Sequence, residues 1–366
     1  MSTETGAGVR ERAELSERLW TAVIAQDESA AVREVFAAAD AGVARESLLL
    51  EVLGGVQRRV GTEWAADRIS VAEEHAATAI IDRVIAALAH RVPAPAGLPD
   101  RPRITVACVD GEWHVLPARL LAEVLTGRGW QVDFLGAHTT TPHLIAHLHA
   151  TNPAATLLSA SLPLHLPSAH TAVTAVQSIG IPVMVGGAAF GADGRYARLI
   201  GADAWAPDAR AAAGLLADGL IRPESTPRQQ VDDLPHLADQ EYTLIKGNRS
   251  ALVRQCLADL EARWPGMRAY SEAQRERTAE DLAHIVDFLA TALYVDDPEL
   301  FTGFITWTAE ILKARRVPPH SLRTGLDIMA GELHDFPRAL GLLKAAAEAL
   351  PATPTTRPSH GPGMTA

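Results

Sequence analysis

The stretch ITVACVDGEWHV, residues 104–115, decides how the central part of the chain folds. A short apolar run leads into a polar loop, and a helical pattern begins at about Val115. Four more short apolar runs follow, with helical segments of roughly 10–15 residues between them: QVDFLG, ATLLSAS, IPVMVGG and DAWAP. Strands that alternate with helices are typical of a doubly wound parallel sheet. We therefore predict five parallel strands over residues 103–220.

The predicted sheet is of the flavodoxin-like (Rossmann) type, with an expected strand order of 2-1-3-4-5. In such a sheet, ligands bind in the crevice outside the carboxyl ends of the strands, where strands 1 and 3 diverge. The loop that contains His114 follows strand 1 at this edge. His114 is therefore expected where a ligand would bind.

Helical segments flank the predicted sheet on both sides. Upstream, residues 8–90 contain four segments with apolar residues at i, i+3, i+4 and i+7, which predicts a small helical bundle. Ser70 is expected to cap the fourth helix, with Glu73 completing a capping box. Downstream, residues 238–350 return to helical periodicity without strands. The stretches 91–102 and 221–237 are expected to be linkers, and the tail 351–366 is expected to be disordered.

The composition narrows the class of protein. The 366 residues include 33 basic and 44 acidic side chains, a net charge of −11, and no convincing basic patch, so a nucleic-acid partner is not expected. Two cysteines, Cys108 and Cys256, indicate a reducing compartment rather than a disulfide framework. The first residues have no apolar signal core, and no apolar run approaches the roughly 20 residues that span a bilayer. We expect a cytoplasmic protein without a membrane partner.

Polar and small residues at three strand ends indicate a candidate site. A neutral imidazole is a good ligand for a transition metal, and Glu112 is close enough in sequence to orient His114 through its second ring nitrogen. Strand 3 ends in Ser159 and Ser161, and strand 4 ends in two glycines. Small residues there would leave a slot between sheet and helix, and hydroxyls could satisfy a polar group placed in it.

These residues resemble the motif of the cobalamin-binding domain shared by methionine synthase, the B12-dependent mutases and the B12 photoreceptors. The family carries Asp-x-His-x-x-Gly after strand 1, Ser-x-Leu/Thr at strand 3 and Gly-Gly at strand 4. Here Glu112 stands in place of the Asp, and Pro117 in place of the final Gly. The resemblance implies that His114 is the lower axial ligand of cobalt. It also implies that the displaced dimethylbenzimidazole base enters a slot lined by Ser159, Ser161, Gly186 and Gly187.

A second motif lies upstream, where Trp64 is followed after nine residues by Glu74 and His75. Its spacing resembles the signature of CarH-type photoreceptors, in which a helical bundle caps the upper face of 5′-deoxyadenosylcobalamin. The resemblance implies that Trp64 packs against the adenosyl group and that Glu74 contacts it. It also implies that His75 can bind cobalt once light has removed the adenosyl group. CarH proteins begin with a MerR-type helix-turn-helix, which residues 1–10 are too few to form, so a repressor is not expected.

Polar and aromatic residues interrupt the apolar pattern of residues 238–350: His284, Tyr294, Trp307, Arg315, Arg316, His320 and Arg323. Arg and His could pair with the propionates of a tetrapyrrole, and an aromatic wall could stack on its rings. The helices resemble divergent globin-like sensor domains, and the domain order resembles the photocobilins, which bind both B12 and biliverdin. The resemblance implies non-covalent biliverdin, because Cys256 lies in no attachment motif. A haem held by His284 or His320, or a purely structural dimerisation domain, are the alternatives.

The sequence as a whole is interpreted as a multidomain B12 photoreceptor that is not an enzyme. Photolysis of the Co–C bond would change the domain arrangement or the oligomeric state, so a homo-oligomer with light-dependent assembly and a separate downstream partner are expected. A corrinoid protein that carries methyl groups for a methyltransferase is the main alternative. A mutase subunit is disfavoured, because the chain has no room for a (β/α)₈ barrel of about 250 residues.

Overall fold

The structure is a computed structural model that describes residues 6–92, 101–220, 234–317 and 320–350. The chain divides into two compact units, residues 1–238 and 239–366. The segments 93–100, 221–233 and 351–366, where we expected linkers and a disordered tail, lie outside the described residues. No described helix combines the length and the apolarity needed to cross a bilayer.

The first unit begins with a helical bundle. Its elements are α1 (Gly6–Ile24), α2 (Glu28–Asp40), α3 (Arg45–Ser47), a π-helical segment (Leu48–Leu53), α4 (Gly54–Ala65) and α5 (Val71–Arg91). The capping box is confirmed, since the Ser70 side chain accepts a hydrogen bond from the Glu73 N–H and the Glu73 carboxylate accepts one from the Ser70 N–H at 2.7 Å. This cap determines where α5 begins, and it places Glu74 and His75 in the first turn of that helix.

Five parallel strands in the order β2-β1-β3-β4-β5 follow, which confirms the predicted sheet and its strand order. The elements of this domain are β1 (Arg103–Cys108), α6 (Leu116–Gly127), β2 (Gln131–Gly136), α7 (Thr141–Thr151), β3 (Ala155–Ser159), α8 (Leu166–Ser178), β4 (Val183–Gly186), α9 (Arg195–Leu199), β5 (Ala204–Ala206) and α10 (Ala209–Asp218). Both faces of the sheet are covered by helices, so the central strands β1 and β3 are almost entirely buried. The alternation of side chains along β1 puts Ile104, Val106 and Cys108 on the face that packs with α6 and α10.

Helix α6 joins the bundle to the sheet within this first unit. Its residues Leu116 and Val124 are buried in the hydrophobic core of the bundle. At the edge of this contact, Arg210 of α10 forms ion pairs with Glu46 and Glu51, both at 2.7 Å. The bundle therefore packs against the helix that begins at the histidine loop.

The second unit is helical throughout its described residues. Its helices are α11 (Glu241–Gly247), α12 (Arg249–Arg263), α13 (Glu272–Val295), α14 (Pro298–Ala314), α15 (His320–Glu332) and α16 (Pro337–Ala349). The buried Glu241 carboxylate accepts hydrogen bonds from the N–H groups of Arg338 and Ala339 at 3.0 and 2.9 Å. These bonds satisfy the N-terminus of α16 from a residue almost 100 positions earlier in the chain. The expected all-helical architecture is confirmed for these residues.

Candidate functional site

His114 and Glu112 lie on the loop that joins β1 to α6, at the carboxyl edge of the sheet. Glu112 Oε1 lies 2.6 Å from His114 Nδ1 and accepts a hydrogen bond from the His114 backbone N–H at 2.7 Å. The Glu112 side chain is fully buried, whereas the His114 side chain is 57% exposed. Because the carboxylate holds Nδ1, Nε2 is the ring atom that can bind a metal.

The second oxygen of Glu112 ties this loop to the end of β3. Oε2 accepts hydrogen bonds from the backbone N–H groups of Ser161 and Leu162 at 2.6 and 3.3 Å, and His165 Nε2 lies 3.9 Å away. Ser161, which we expected to line the slot, also holds this carboxylate through its backbone N–H. The orientation of the imidazole is thus set by two strand ends together.

The surroundings of this pair strongly favour the ionised form of Glu112. Burial raises the pKa of Glu112, but the hydrogen bonds from His114 and Ser161 and the charge of His114 outweigh it and lower the pKa to about 2. The hydrogen bond to Glu112 raises the pKa of His114; burial opposes this effect, and the charges of Glu112 and Glu74 add to it. A protonated Glu112 is therefore disfavoured throughout the neutral range.

A row of small residues crosses the sheet next to this pair. In the strand register, Cys108 lies opposite Ser159, and Ser159 lies opposite Gly186. Gly186 in turn lies opposite Ala206. The row is on the sheet face that packs with α6 and α10, where the helices present mostly small side chains, among them Ala118, Ala212 and Ala213. The predicted slot for a displaced base, which includes Ser159 and Gly186, would therefore have little side-chain bulk on either side.

Gly187 lets the ends of β3 and β4 approach each other closely. It has a φ of +102°, and a Cβ at this position would lie 2.2 Å from the carbonyl oxygen of Ala160. The same carbonyl accepts a hydrogen bond from the N–H of Ala189 at 3.1 Å. Only glycine fits this close approach of the β4 end to the β3 end.

The upstream residues form a second carboxylate–imidazole pair on the bundle. In the first turn of α5, His75 Nδ1 lies 2.5 Å from Glu74 Oε2, and the His75 side chain is 75% exposed. Trp64, near the end of α4, is half-buried against the bundle core. The charge of Glu74 is among those that act on His114, so the two pairs lie within electrostatic range of each other.

Sequence reasoning missed an aromatic stack beside His114. Trp113, with 69% of its surface exposed, stacks on His138 at a centroid distance of 4.9 Å and an interplanar angle of 13°. His138 follows β2, and its Nδ1 accepts a hydrogen bond from the Gly111 N–H at 3.0 Å. The position of His138 just after a strand could have indicated its place at this edge, but its pairing with Trp113 depends on how β1 and β2 align.

The seven residues singled out in the second unit lie in different surroundings. Tyr294 is fully buried and meets Tyr242 edge-on at 4.8 Å. His320 packs against Trp264 at 5.6 Å, and Arg323 donates a hydrogen bond to the carbonyl of Leu350 at 3.1 Å. The remaining four side chains are exposed: His284, Trp307, Arg315 and Arg316.

An open groove of about 510 Å³ runs along α14 and is lined by Pro298, Glu299, Thr302, Gly303, Thr306, Trp307 and Glu310. Of the seven residues expected to line a tetrapyrrole pocket, Trp307 alone lines this groove. We expected Tyr294 to line the pocket, but its side chain is buried in the core. Cys256 is also buried, and burial together with the charges of Glu332 and Asp259 raises its pKa to about 12.

Two regions of the first unit match family models, and both models are described as a B12 binding domain. The first match covers residues 102–214, the sheet domain with the histidine loop, and the second covers residues 15–89, the bundle. The two regions together form a cobalamin-binding module. No protein of curated function is significantly similar to the chain in sequence.

The residues present fit a cobalamin. Among the described residues, no group of three or more His, Cys, Asp or Glu side chains could hold a bare metal ion. A corrin brings four nitrogen ligands of its own, and the single oriented imidazole of His114 suits such a metal. The row of small residues from Cys108 to Ala206 suits a flat group between sheet and helices.

Several solved structures are similar to parts of the chain. The monomethylamine corrinoid protein of Methanosarcina barkeri is 21% identical, over 56% of this chain and 98% of its own, with a TM-score of 0.46. A cobalamin-binding protein of Desulfitobacterium hafniense DCB-2 is 20% identical, over 56% of this chain and 97% of its own, with a TM-score of 0.31. The methanol:cobalamin methyltransferase complex of Methanosarcina barkeri is 16% identical, over 60% of this chain and 93% of its own, with a TM-score of 0.30.

Proposed function

We propose that the chain is a light sensor that holds 5′-deoxyadenosylcobalamin through His114 and responds when light removes the adenosyl group. The observation that carries this proposal is the second carboxylate–imidazole pair, Glu74 with His75, at the start of α5. A protein that only needs to bind cobalamin requires one axial imidazole. A second imidazole on the bundle, held through Nδ1 in the same way, suits a sensor whose axial ligation changes.

The chain's own residues have separate tasks in this proposal. Adenosylcobalamin supplies a weak Co–C bond that visible light breaks. Glu112 orients His114 below the corrin, and Trp64 provides an aromatic wall for the adenosyl group above it. Glu74 accepts hydrogen bonds from that group in the dark and keeps His75 Nε2 free of its own carboxylate. His75 is exposed and can bind the face that the adenosyl group leaves.

The signal in this proposal is a change of assembly. Glu74 and His75 lie near the start of α5, so a change in what these two side chains bind would reposition that end of the helix. We propose that the chain forms a homo-oligomer whose assembly depends on light, and that a separate partner reads this change. The chain itself needs no catalytic step for this role.

For the second unit we propose non-covalent biliverdin as a second chromophore. The buried Cys256 thiol supports non-covalent binding, because its raised pKa leaves it protonated and unreactive at neutral pH. The exposed Trp307 beside the α14 groove offers a surface for ring stacking. A haem ligated by His284 or His320, or a structural domain without a ligand, would give different spectra: a sharp Soret band or no absorption, instead of a far-red band.

The test is an absorption spectrum of the full chain purified in the dark with adenosylcobalamin and biliverdin supplied. We expect the cobalamin spectrum to change under green light, with a change in molecular mass by size-exclusion chromatography. A matched sample with cyanocobalamin, which lacks the Co–C(adenosyl) bond, controls for heating and bleaching. An unchanged spectrum with adenosylcobalamin demonstrably bound would overturn the proposal.

The alternative is a corrinoid protein that carries methyl groups. The exposure of His75 favours it. An accessible upper face would allow a methyltransferase to approach the cobalt. Methylation of protein-bound cob(I)alamin by such a partner, with an unchanged rate in a His75→Ala variant, would support this alternative. If no methylation occurs and light changes the spectrum of the bound adenosylcobalamin, the sensor is supported instead.

A further inference from the structure

Residues outside the Trp64–Glu74–His75 motif hold the carboxylate of Glu74 through a chain of hydrogen bonds. Gln57 Nε2, on α4, donates to Thr78 Oγ1 at 2.9 Å. Thr78 Oγ1, on α5, donates to Glu74 Oε1 at 3.0 Å. The other oxygen of Glu74 lies 2.5 Å from His75 Nδ1. The four side chains therefore form one continuous relay from the first turn of α4 to the imidazole.

The direction of this relay follows from the donor inventory of its members. An amide nitrogen can only donate, so the Thr78 oxygen must accept from Gln57. The single hydroxyl proton of Thr78 is then left for Glu74, whose carboxylate can only accept. If the Gln57 amide were reversed, its oxygen would compete with Glu74 for that proton. The amide orientation therefore decides whether Glu74 is held.

The observed orientation leaves an acceptor without a partner. Gln57 Oε1 is buried and accepts no hydrogen bond from the described residues. A reversed amide would place Oε1 against Thr78 and leave Nε2 buried without a partner, so reversal would take the Thr78 proton from Glu74 and satisfy no more groups. The observed orientation is therefore the one that leaves the Thr78 proton for Glu74.

We propose that Gln57 and Thr78 are positioning residues that set the specificity of the upper face for a cobalamin whose upper ligand carries hydroxyl groups. Glu74, held by Thr78, presents a fixed acceptor to the ribose hydroxyls of an adenosyl group. A methyl group offers no hydrogen-bond donor, so the same carboxylate gives it no advantage. This inference rests on the proposed function and identifies two further residues, outside the Trp64–Glu74–His75 motif, that select the cofactor.

The substitution Thr78→Val tests the relay, since valine keeps the shape of threonine and removes the hydroxyl. In the dark, we expect the full-length variant to lose about tenfold in affinity for adenosylcobalamin, the value of one hydrogen bond to a charged group. Its affinity for methylcobalamin should stay within about twofold of wild type, because the relay makes no contact with a methyl group. Thr78→Ser restores the hydroxyl and should restore the selectivity.

Matched variants separate the relay from general effects on the bundle. Thr62→Val removes a hydroxyl of the same bundle that only donates to the carbonyl of Arg58 at 3.1 Å, and it should leave both affinities unchanged. Gln57→Met removes the donor at the other end of the relay and should lower the affinity for adenosylcobalamin in the same direction by a smaller factor, because Thr78 keeps its hydroxyl. If Thr78→Val proves unfolded by circular dichroism, Thr78→Ser and Gln57→Met still test the inference.

The outcomes distinguish this inference from the proposed function. If wild type prefers adenosylcobalamin and responds to light while Thr78→Val and Gln57→Met keep its selectivity, the relay inference alone is overturned. If wild type does not prefer adenosylcobalamin to methylcobalamin, both the relay inference and its basis are overturned. Equal losses for the two cobalamins would indicate a structural role and would also overturn the inference.

Discussion

Two carboxylate–imidazole pairs, Glu112 with His114 and Glu74 with His75, share one geometry and differ in everything around it. In both, a carboxylate oxygen lies about 2.5–2.6 Å from Nδ1 and leaves Nε2 for another ligand. In the first pair, which we call the lower pair, the Glu112 carboxylate is fully buried and is held by backbone N–H groups at the end of β3. In the second pair, which we call the upper pair, the Glu74 carboxylate is partly exposed and is held by the hydroxyl of Thr78.

The surroundings of each pair decide how freely its carboxylate can move. Backbone donors at the end of a strand cannot reorient without disturbing the sheet, so the lower pair suits a permanent ligand. One side-chain hydroxyl constrains Glu74 less than the backbone donors constrain Glu112, and a helix terminus can move, so the upper pair is the one that can change position as a unit. Substitutions in or beside each pair test this difference.

The largest effect is expected from the scaffold of the lower pair. Gly187→Ala would force a left-handed φ on alanine and place its Cβ 2.2 Å from the Ala160 carbonyl oxygen. We expect a loss of about 3 kcal/mol or more in the free energy of unfolding, measured by urea denaturation. Gly180→Ala is the control, since it has a φ of +78° but nothing within 4 Å of the added Cβ. Its loss should be only about 1 kcal/mol; equal losses would mean that the contact with Ala160 is relieved by relaxation.

Removal of the lower imidazole should have the largest effect on the cofactor. His114→Ala is expected to weaken cobalamin binding at least about 100-fold, because even changes to groups that support a metal ligand cost 10–100-fold. Spectral titration would measure the affinity and also report whether the bound cobalamin keeps its own base. His75→Ala is the matched control and should change the dark affinity by less than about threefold. A similar loss in both variants would erase the distinction between the pairs.

The pH dependence of folding should report the buried carboxylate. The pKa of Glu112 is lowered to about 2 from its ordinary value of 4.5, so its contribution to stability is complete above pH 4.5 and is lost as the pH falls towards 2. We expect this loss to be about 2 kcal/mol, allowing for the half-exposed imidazole, and to appear in urea unfolding of the cofactor-free chain. The raised pKa of His114 acts in the opposite sense, since its contribution is complete below pH 6.5 and falls as the pH rises through the raised value. Glu112→Gln should remove the acid-side loss, and an unchanged slope in this variant would assign the effect to other carboxylates.

The smallest expected change concerns the upper pair in the dark. His75→Ala should leave the dark spectrum of the bound adenosylcobalamin unchanged, since in the proposed sensor the adenosyl group occupies the face that His75 would bind. After illumination, the spectrum of the variant should differ from that of wild type, because the imidazole is missing from the vacated face. An identical photoproduct spectrum would mean that His75 does not bind cobalt.

Much of the site could be predicted from local sequence. The strand order follows from the alternation of short apolar runs and helices, and it placed His114 at the correct edge of the sheet. The Glu112–His114 contact also followed from spacing, because two residues on one loop can meet without help from the rest of the fold. The capping box at Ser70 is local in the same way, so the start of α5 was predictable.

Contacts between distant segments were not predictable. The chain separates Glu112 from Ser161 by 49 residues and Gln57 from Thr78 by 21 residues, and no periodicity links them. In the second unit, an amphipathic pattern could not distinguish the buried Tyr294 from the exposed Trp307, because both lie on long helices whose crossing decides what is covered.

The sequence by itself determined the element types and the Glu112–His114 pair, because each depends on neighbours within a few residues, and the alternation of strands with helices determined the class of sheet. Tertiary structure alone decided which oxygen of each carboxylate is held and by what. Strand register aligned Cys108, Ser159, Gly186 and Ala206 into one row, and the packing of α4 against α5 brought Gln57 to Thr78. The physical reason is that hydrogen bonds and small-residue contacts act over a few ångströms, and only the folded chain brings those distances about.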